Sequence, residues 1–272
     1  NFMTTGSNGN YAPINGINLY FEKFGEGEPL ILLHGGLGSI GMVEEVLKAL
    51  AAGRQVIGVD LHGHGRTAIG GRPLSLEGMG KDVGELIKYL GLAQADVMGY
   101  SMGGGAALQV AIQYPERVRK LIVVSSPHKR SGWFPEMQTG MASMNATMAE
   151  EAKQSPMYMV YSQIAPRVED WPELLDQIGI MLGKDYDWTN EVATFKMPVM
   201  IVVGDADGIR PSSTVEFFEL LGGGQRDAGW DGSGMSNARL AILPGVTHYN
   251  IFNTPALVSA VVPFLDASVA VR

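Results

Sequence analysis

Short runs of mostly apolar residues recur along the chain, and each is followed closely by a polar residue or a glycine. Such runs are typical of strands buried on both faces of a sheet. They cover Pro29–Leu33, Gln55–Asp60, Ala95–Tyr100 and residues 119–125, 198–204 and 239–243. Residues 16–24 instead alternate apolar and polar positions, which predicts an edge strand in a hairpin. Residues 1–13 are expected to form a loose terminus.

Helical periodicity separates these runs. Apolar residues recur every three or four positions in residues 42–52, 76–90, 103–114, 212–221 and 255–265. Ser75 is a suitable N-cap for the second of these segments, and Pro115 ends the third. Strands that alternate with helices indicate βαβ units with right-handed crossovers. We therefore predict an α/β fold with a mostly parallel central sheet flanked by helices.

One long interval breaks the alternation. Residues 128–196 contain no clear buried strand, yet they hold 7 of the 15 methionines and several aromatic residues. This predicts a helical insertion over a core formed by residues 1–127 and 197–272. A second irregular stretch, residues 222–237, is rich in glycine and predicts a loop.

Composition narrows the function classes. The 272 residues suffice for a large core, and the absence of cysteine excludes disulfides and thiolate chemistry. A net charge of −8 argues against a nucleic-acid partner. The apolar runs are far shorter than the roughly 20 residues of a membrane span, and no signal-peptide pattern is seen. We expect a cytoplasmic monomer or homodimer with no membrane partner and no cofactor. We also expect no metal site, since the histidines fall in separate loops.

One glycine pattern predicts a cofactor site, contrary to the expectation that the protein has no cofactor. Gly36, Gly38 and Gly41 match G-x-G-x-x-G after an apolar strand, and Asp60 ends the next strand. This spacing is the dinucleotide-binding fingerprint. Chance matches are common in this chain, however, because 36 of its 272 residues are glycine.

A second glycine pattern predicts a nucleophile. Gly99-Tyr100-Ser101-Met102-Gly103 matches G-x-S-x-G, with a predicted strand running into Ser101 and a predicted helix following it. A sharp strand-to-helix turn needs small neighbours and presents the serine hydroxyl at the carboxyl edge of the sheet. The alternative is a glycine-rich turn with an incidental serine.

A serine nucleophile needs a base and an orienting carboxylate. Of the five histidines, His248 lies in the loop after the last predicted strand and is our candidate base. Asp207 lies in the loop after the strand of residues 198–204 and is our candidate acid. Asp205, nearer the strand end, is expected to fix the turn instead.

The order Ser101, Asp207, His248 resembles the serine α/β-hydrolase family, whose nucleophile, acid and base follow in that order. The motifs that carry the resemblance are His34-Gly35-Gly36, Gly63-His64-Gly65-Arg66, Gly99–Gly103, Gly204-x-x-Asp207 and Gly245-x-x-His248. The resemblance implies an α/β-hydrolase fold with a cap at residues 128–196. It also implies an oxyanion hole formed by the N–H groups of Gly36 and Met102, so that the glycine loop is better interpreted as an oxyanion loop. We expect a substrate pocket lined by Leu37, Trp133, Met137, Met141 and Tyr249.

The implied function is hydrolysis of a carboxylic ester or lactone of a small, fairly apolar substrate through an acyl-enzyme intermediate. A serine C–C bond hydrolase or a perhydrolase of the same fold is an alternative, and a catalytically idle small-molecule receptor is another. Asp207 and His248 are 41 residues apart, more than one helix and one strand require. The extra length, residues 222–237, is expected to form either a rim near the site or an inert surface loop.

Overall fold

A single sheet organises the part of the chain that the computed structural model describes, residues 8–269. Its strands are β1 (Gly9–Ile14), β2 (Ile17–Phe24), β3 (Pro29–Leu33), β4 (Gln55–Asp60), β5 (Ala95–Tyr100), β6 (Val118–Val124), β7 (Val199–Ala206) and β8 (Ala238–Thr247). Their order in the sheet is β1-β2-β4-β3-β5-β6-β7-β8. Strand β2 pairs antiparallel with both of its neighbours, β1 and β4. Each of the remaining neighbouring pairs is parallel. The predicted fold class is confirmed.

Helices cover both faces of this sheet. They are α1 (Glu44–Ala51), α2 (Leu76–Tyr89), α3 (Met102–Gln113), α4 (Pro135–Ala142), α5 (Ala149–Ala152), α6 (Pro156–Ile164), α7 (Trp171–Gly183), α8 (Thr189–Val192), α9 (Pro211–Leu220) and α10 (Pro255–Asp266). Helix α2 begins where Ser75 accepts a hydrogen bond from the Gly78 N–H, as expected of an N-cap.

The apolar core lies in two layers, one on each side of the sheet. In β3, Ile31 and Leu33 pack in the layer that includes α2 and α3, whereas Leu30 and Leu32 pack in the layer that includes α1 and α10. All four side chains are fully buried. Burying each contributes roughly 1.5–3 kcal/mol, which explains why these strands are continuous apolar runs.

The beginning of the chain differs from the prediction. Within the expected loose terminus, Gly9–Ile14 forms β1 and pairs along its length with β2, so β2 is an inner strand and not an edge strand. Residues 1–7 lie outside the described part. The hairpin turn is Asn15-Gly16, with φ of 49° and 81°, and two positive φ values match the turn type that Asn-Gly favours. Tyr11 is exposed, and this edge strand therefore has only a weak apolar pattern.

Helices α4 to α8 follow one another between β6 and β7, within the stretch predicted as an insertion. Helix α7 packs against α4, and the buried Trp171 donates from Nε1 to the Ala149 carbonyl. Phe134 N donates to the Gly208 carbonyl at 3.0 Å, so the start of this stretch is tied to the loop after β7. Its treatment as a separate cap remains a prediction.

The glycine-rich residues 222–237 form neither helix nor strand. They end where Val199 N donates to the Asn237 carbonyl, at the amino ends of β7 and β8. The loops after β5, β7 and β8 lie at the opposite edge of the sheet. None of residues 222–237 lines the cavity over Ser101, so their position argues against a rim near the site.

Candidate active site

Ser101 lies on a strained turn between β5 and α3. Its φ of 54° and ψ of −118° are unfavourable for a residue with a side chain. The two flanking glycines make the turn possible, because a Cβ on Gly99 would lie 2.0 Å from the Gly103 carbonyl oxygen. One on Gly103 would lie 2.3 Å from the His34 carbonyl oxygen. The G-x-S-x-G pattern therefore meets a steric requirement of this turn.

The three residues selected from the sequence form one hydrogen-bonded chain. Ser101 Oγ lies 3.0 Å from His248 Nε2, and His248 Nδ1 lies 2.8 Å from Asp207 Oδ1. Because a carboxylate only accepts, Nδ1 carries the proton and Nε2 is free to accept from the serine hydroxyl. The strand-end loops of β5, β7 and β8 bring these side chains together. Such an arrangement is able to remove a proton from a serine hydroxyl.

Asp207 is held by donors at both oxygens. Its Oδ2 accepts from Ser125 Oγ at 2.5 Å and from Gly204 N at 3.3 Å, and its Oδ1 also accepts from Gly208 N at 2.7 Å. Burial alone would raise the pKa of this carboxyl. The hydrogen bonds and the charge of His248 outweigh burial and leave the pKa below its ordinary value. Asp207 is therefore ionised and fixed in orientation.

Asp205 lies apart from this chain. It is exposed, and its Oδ1 accepts from the N–H of Gly245 at 2.9 Å. That contact joins the end of β7 to Gly245 near the end of β8, so Asp205 braces the backbone that leads to His248.

Gly36 and Met102 face the same cavity as Ser101. Met102 is the first residue of α3, and the first N–H groups of a helix have no partner within it. Gly36 lies in a turn closed by Gly38 N donating to the Gly35 carbonyl at 3.1 Å, in which Leu37 has a φ of 61°. The two predicted oxyanion donors thus occur on neighbouring backbone segments beside Ser101.

Asp60, part of the apparent dinucleotide fingerprint, is hydrogen-bonded to the backbone of the protein itself. It is buried, and its two oxygens accept from Ile40 N and Arg66 N, each at 2.8 Å. Burial raises its pKa to about 6. A dinucleotide-binding acid would instead have to reach a ribose. The position of Asp60 therefore favours the oxyanion-loop interpretation.

Histidines other than His248 are also buried. His34 accepts from Leu61 N at Nε2 and donates to the Gly35 carbonyl, and its ring lies 5.2 Å from that of His64. His64 donates to the His62 carbonyl at 3.0 Å. Burial lowers the pKa of His34 to about 4 and that of His64 to about 3. These two histidines are neutral and support the loops beneath the site.

A cavity of about 380 Å³ opens over Ser101 and His248. All five side chains expected in the pocket line it, namely Leu37, Trp133, Met137, Met141 and Tyr249. Trp133 lies edge-on to the His248 ring, with 5.4 Å between ring centroids. The oxyanion loop, the start of α3, α4 and α7 all contribute to the walls, and most of the lining is apolar.

Sequence reasoning missed four residues of this region. Tyr100 donates from its hydroxyl to the His248 carbonyl at 2.5 Å, and Ser125 donates to Asp207. Arg130 and Tyr186 also line the cavity. Ser125 was detectable, since it is the first polar residue after the apolar run of β6. Nothing in the sequence marks the other three.

Within residues 8–269, no three or more His, Asp or Glu side chains are grouped so that they could hold a metal ion. None of the helices in that range combines the length and apolar character that crossing a bilayer requires.

Comparison with known proteins identifies the family. The model of the α/β-hydrolase fold matches residues 28–154. A protein of Azorhizobium caulinodans, provisionally named carbamate hydrolase RutD, is 26% identical over 219 residues, which cover 74% of this chain and 82% of that protein. A pimeloyl-acyl-carrier-protein methyl ester esterase of Aeromonas hydrophila is 27% identical over 219 residues, covering 73% and 84%.

Solved structures agree on the fold. The enol-lactonase of Burkholderia xenovorans LB400 superposes with a TM-score of 0.70 at 20% identity, covering 95% of this chain and all of that one. The match of sheet, helices and chain order extends over nearly the whole molecule. This chain belongs to the α/β-hydrolase family.

Proposed function

We propose that this hydrolase cleaves a carboxylic ester or lactone of a small, fairly apolar substrate, with Ser101 as nucleophile, His248 as general base and Asp207 as orienting acid. The observation that carries the proposal is the hydrogen-bonded chain from Ser101 Oγ through His248 to Asp207 beneath an apolar cavity. A serine, unlike a carboxylate, suits attack on an acyl carbon.

The reaction proceeds in two halves. Ser101 Oγ attacks the carbonyl carbon while His248 Nε2 takes its proton, and the same proton then goes to the leaving alcohol. His248 next takes a proton from water, which attacks the acyl carbon, and returns that proton to Ser101 Oγ as the acid is released. Asp207 keeps the imidazole in the required tautomer and stabilises its cation.

The developing oxyanion is bound by the backbone N–H groups of Gly36 and Met102. Donors aimed at the charge that forms in the transition state contribute more than donors to the ground state, and losing one typically lowers kcat about 10²- to 10³-fold. The position of Met102 at the N-terminus of α3 adds the helix dipole to this stabilisation.

Residues 128–196 act as the cap in this proposal and supply the acyl or alcohol pocket. Trp133, Met137 and Met141 from this segment line the cavity beside Ser101. Methionine suits an apolar pocket of irregular shape, because its flexible side chain adapts to the substrate. The names of the related methyl ester esterase and enol-lactonase support ester and lactone substrates.

The test combines labelling with a substrate panel. A fluorophosphonate should add covalently to Ser101, and the protein should hydrolyse 4-nitrophenyl esters or lactones. Ser101→Ala and His248→Ala should each lower kcat by at least ~10⁴-fold. Full esterase activity in Ser101→Ala would refute the mechanism. Turnover of vinylogous diketones or peracid formation without ester hydrolysis would favour the C–C hydrolase or the perhydrolase, and an unlabelled Ser101 would favour a receptor.

A further inference from the structure

One cation lines the mostly apolar cavity. Arg130 is the sole lysine or arginine among the lining residues of the described chain, which also include Met141, Met144 and Leu182. No carboxylate of residues 8–269 lies within 4.0 Å of its guanidinium nitrogens. Arg130 is partly buried. A partly buried cation without a paired carboxylate is less stable than a paired one, and an anion bound beside it would stabilise it.

The guanidinium is held in place by neutral acceptors. Nε donates to the Leu182 carbonyl at 3.0 Å, and the two terminal nitrogens donate to Gln138 Oε1 at 3.3 Å and to the Gln138 carbonyl at 3.2 Å. These bonds use three of the five guanidinium N–H groups and leave two. Because the acceptors are uncharged, they fix the position of the side chain without neutralising it.

Tyr186 is a second lining residue with a polar side chain, and its backbone contacts that of Arg130. Arg130 N donates to the Tyr186 carbonyl at 2.9 Å, and the Tyr186 ring stacks on Trp188 with 4.3 Å between centroids. Burial raises the pKa of Tyr186 to about 12, so its hydroxyl stays protonated. Arg130 and Tyr186 thus add a guanidinium and a neutral phenol to the residues that line a mostly apolar cavity.

One carboxylate in the lining would repel an anion bound to Arg130. Glu136 also lines the cavity, but it is exposed, at the first turn of α4. The charge of an exposed side chain is screened by solvent and salt. Arg130, partly buried and fixed by three hydrogen bonds, is the stronger influence on a ligand inside the cavity.

We propose that Arg130 binds a carboxylate on the substrate, remote from the bond that is cleaved. The substrate class then narrows to esters or lactones whose acyl or alcohol part ends in a carboxylate. This inference rests on the proposed ester or lactone hydrolysis and assigns Arg130 as its specificity-determining residue. Charge-assisted hydrogen bonds from a guanidinium fork to a carboxylate are among the strongest in proteins.

The test uses pairs of substrates that differ only in charge. On the acyl side, the 4-nitrophenyl ester of adipic acid is compared with that of adipamic acid, its neutral isostere. On the alcohol side, 4-butyryloxybenzoate is compared with 4-butyryloxybenzamide. We expect the wild-type protein to favour the carboxylate in at least one pair, by about 10- to 100-fold in kcat/KM.

Variants then separate recognition from support of the fold. Arg130→Met should abolish the preference within the pair, and Arg130→Lys should keep part of it, since lysine retains the charge but not the fork. Lys129→Met is the matched control. It removes the same charge one residue away, from a side chain that pairs with Glu216 at 2.8 Å and does not line the cavity. The preference should be unchanged in that variant.

The outcomes distinguish this inference from the proposed function. Hydrolysis of all four esters by the wild-type protein without a preference in either pair overturns the role of Arg130 and leaves ester hydrolysis standing. Equal loss of activity on both members of a pair in Arg130→Met assigns Arg130 to support of α4 and α7, and also overturns it. If no ester is hydrolysed and Ser101 is not labelled, the proposed function itself fails and this inference fails with it.

Discussion

Ser125 donates a 2.5 Å hydrogen bond to Asp207 Oδ2, while His248 contacts the other oxygen, Oδ1. Ser125 is buried directly after β6 and has a φ of 52°, a conformation that non-glycine residues rarely adopt. The strained backbone turns the hydroxyl towards the carboxylate. Within residues 8–269 its hydroxyl bonds to Asp207 and forms no hydrogen bond with Ser101 or the imidazole, so we interpret Ser125 as a positioning residue.

The first prediction is that Ser125→Ala lowers kcat about 10-fold or more and changes KM little. A hydrogen bond to a charged group contributes roughly 1.5–3 kcal/mol, and its loss frees Asp207 to rotate. The Ser125 hydroxyl also helps to lower the pKa of Asp207, so that pKa should rise in the variant. Steady-state kinetics of the wild type and the variant on a 4-nitrophenyl ester should show the change in kcat with little change in KM.

Ser213→Ala is the matched control for Ser125→Ala. Ser213 is also a buried serine, but its Oγ has no hydrogen-bond partner within residues 8–269. Removing an unpaired buried hydroxyl should leave kcat unchanged and should keep or raise the free energy of unfolding by about 1 kcal/mol. A similar fall in kcat in both variants would contradict the positioning role.

The second prediction is that Gly103→Ala strongly destabilises the fold. The added Cβ would lie 2.3 Å from the His34 carbonyl oxygen and 2.7 Å from that of Leu33, both backbone atoms of the oxyanion loop and its strand. We expect a loss of about 3 kcal/mol in the free energy of unfolding, measured by denaturant titration.

Gly105→Ala, two residues further along α3, provides the comparison. Its Cβ would meet only the side chain of Leu76, at 3.1 Å, and alanine is favoured in a helix. The free energy of unfolding should change by less than about 1 kcal/mol. Equal losses in the two variants would mean that close backbone approach is not what selects glycine at position 103.

The third prediction concerns acid stability. Burial lowers the pKa of His64 in the folded protein to about 3, while an unfolded histidine titrates near 6.5. Between these values the unfolded state binds the proton, so His64 lowers the free energy of unfolding as pH falls, by up to about 1.4 kcal/mol per pH unit. His34 acts in the same direction, and Asp60, whose pKa is raised to about 6, acts in the opposite one.

The variant His64→Asn isolates one of these contributions. Asparagine is able to keep the hydrogen bond to the His62 carbonyl but does not titrate. Denaturant unfolding of the two proteins at pH 7 and at pH 4.5 should show the variant losing less stability than the wild type. Equal slopes against pH would show that folding does not lower the pKa of His64.

Most of the sheet could be predicted because strands buried on both faces leave a plain signal. The apolar run Pro29–Leu33 matches β3 residue for residue. The edge strand β1 could not be predicted from its apolar pattern, since one face of an edge strand meets solvent and Tyr11 is exposed there. The Asn15-Gly16 pair was the available signal for this hairpin.

The grouping of Ser101, Asp207 and His248 could be predicted because the carboxyl ends of parallel strands meet at one edge of a sheet. The position of each residue just after a strand therefore predicted that the three side chains lie close together. Contacts that depend on side-chain direction could not be predicted. Arg130 lies in a segment without strands, where the sequence gives no register, and its place in the cavity follows from how α4 packs on α7.

Because Trp133 contacts His248 edge-on, its indole is an intrinsic fluorescence probe of the site. Trp133 is the one tryptophan of the described chain that lines the cavity, whereas Trp171 and Trp188 are buried elsewhere and Trp230 is fully exposed on the glycine-rich loop. Indole emission depends on the polarity around the ring and on adjacent groups that quench it. Filling of the cavity is therefore measurable by intrinsic fluorescence, without a chromogenic substrate and before any bond is cleaved.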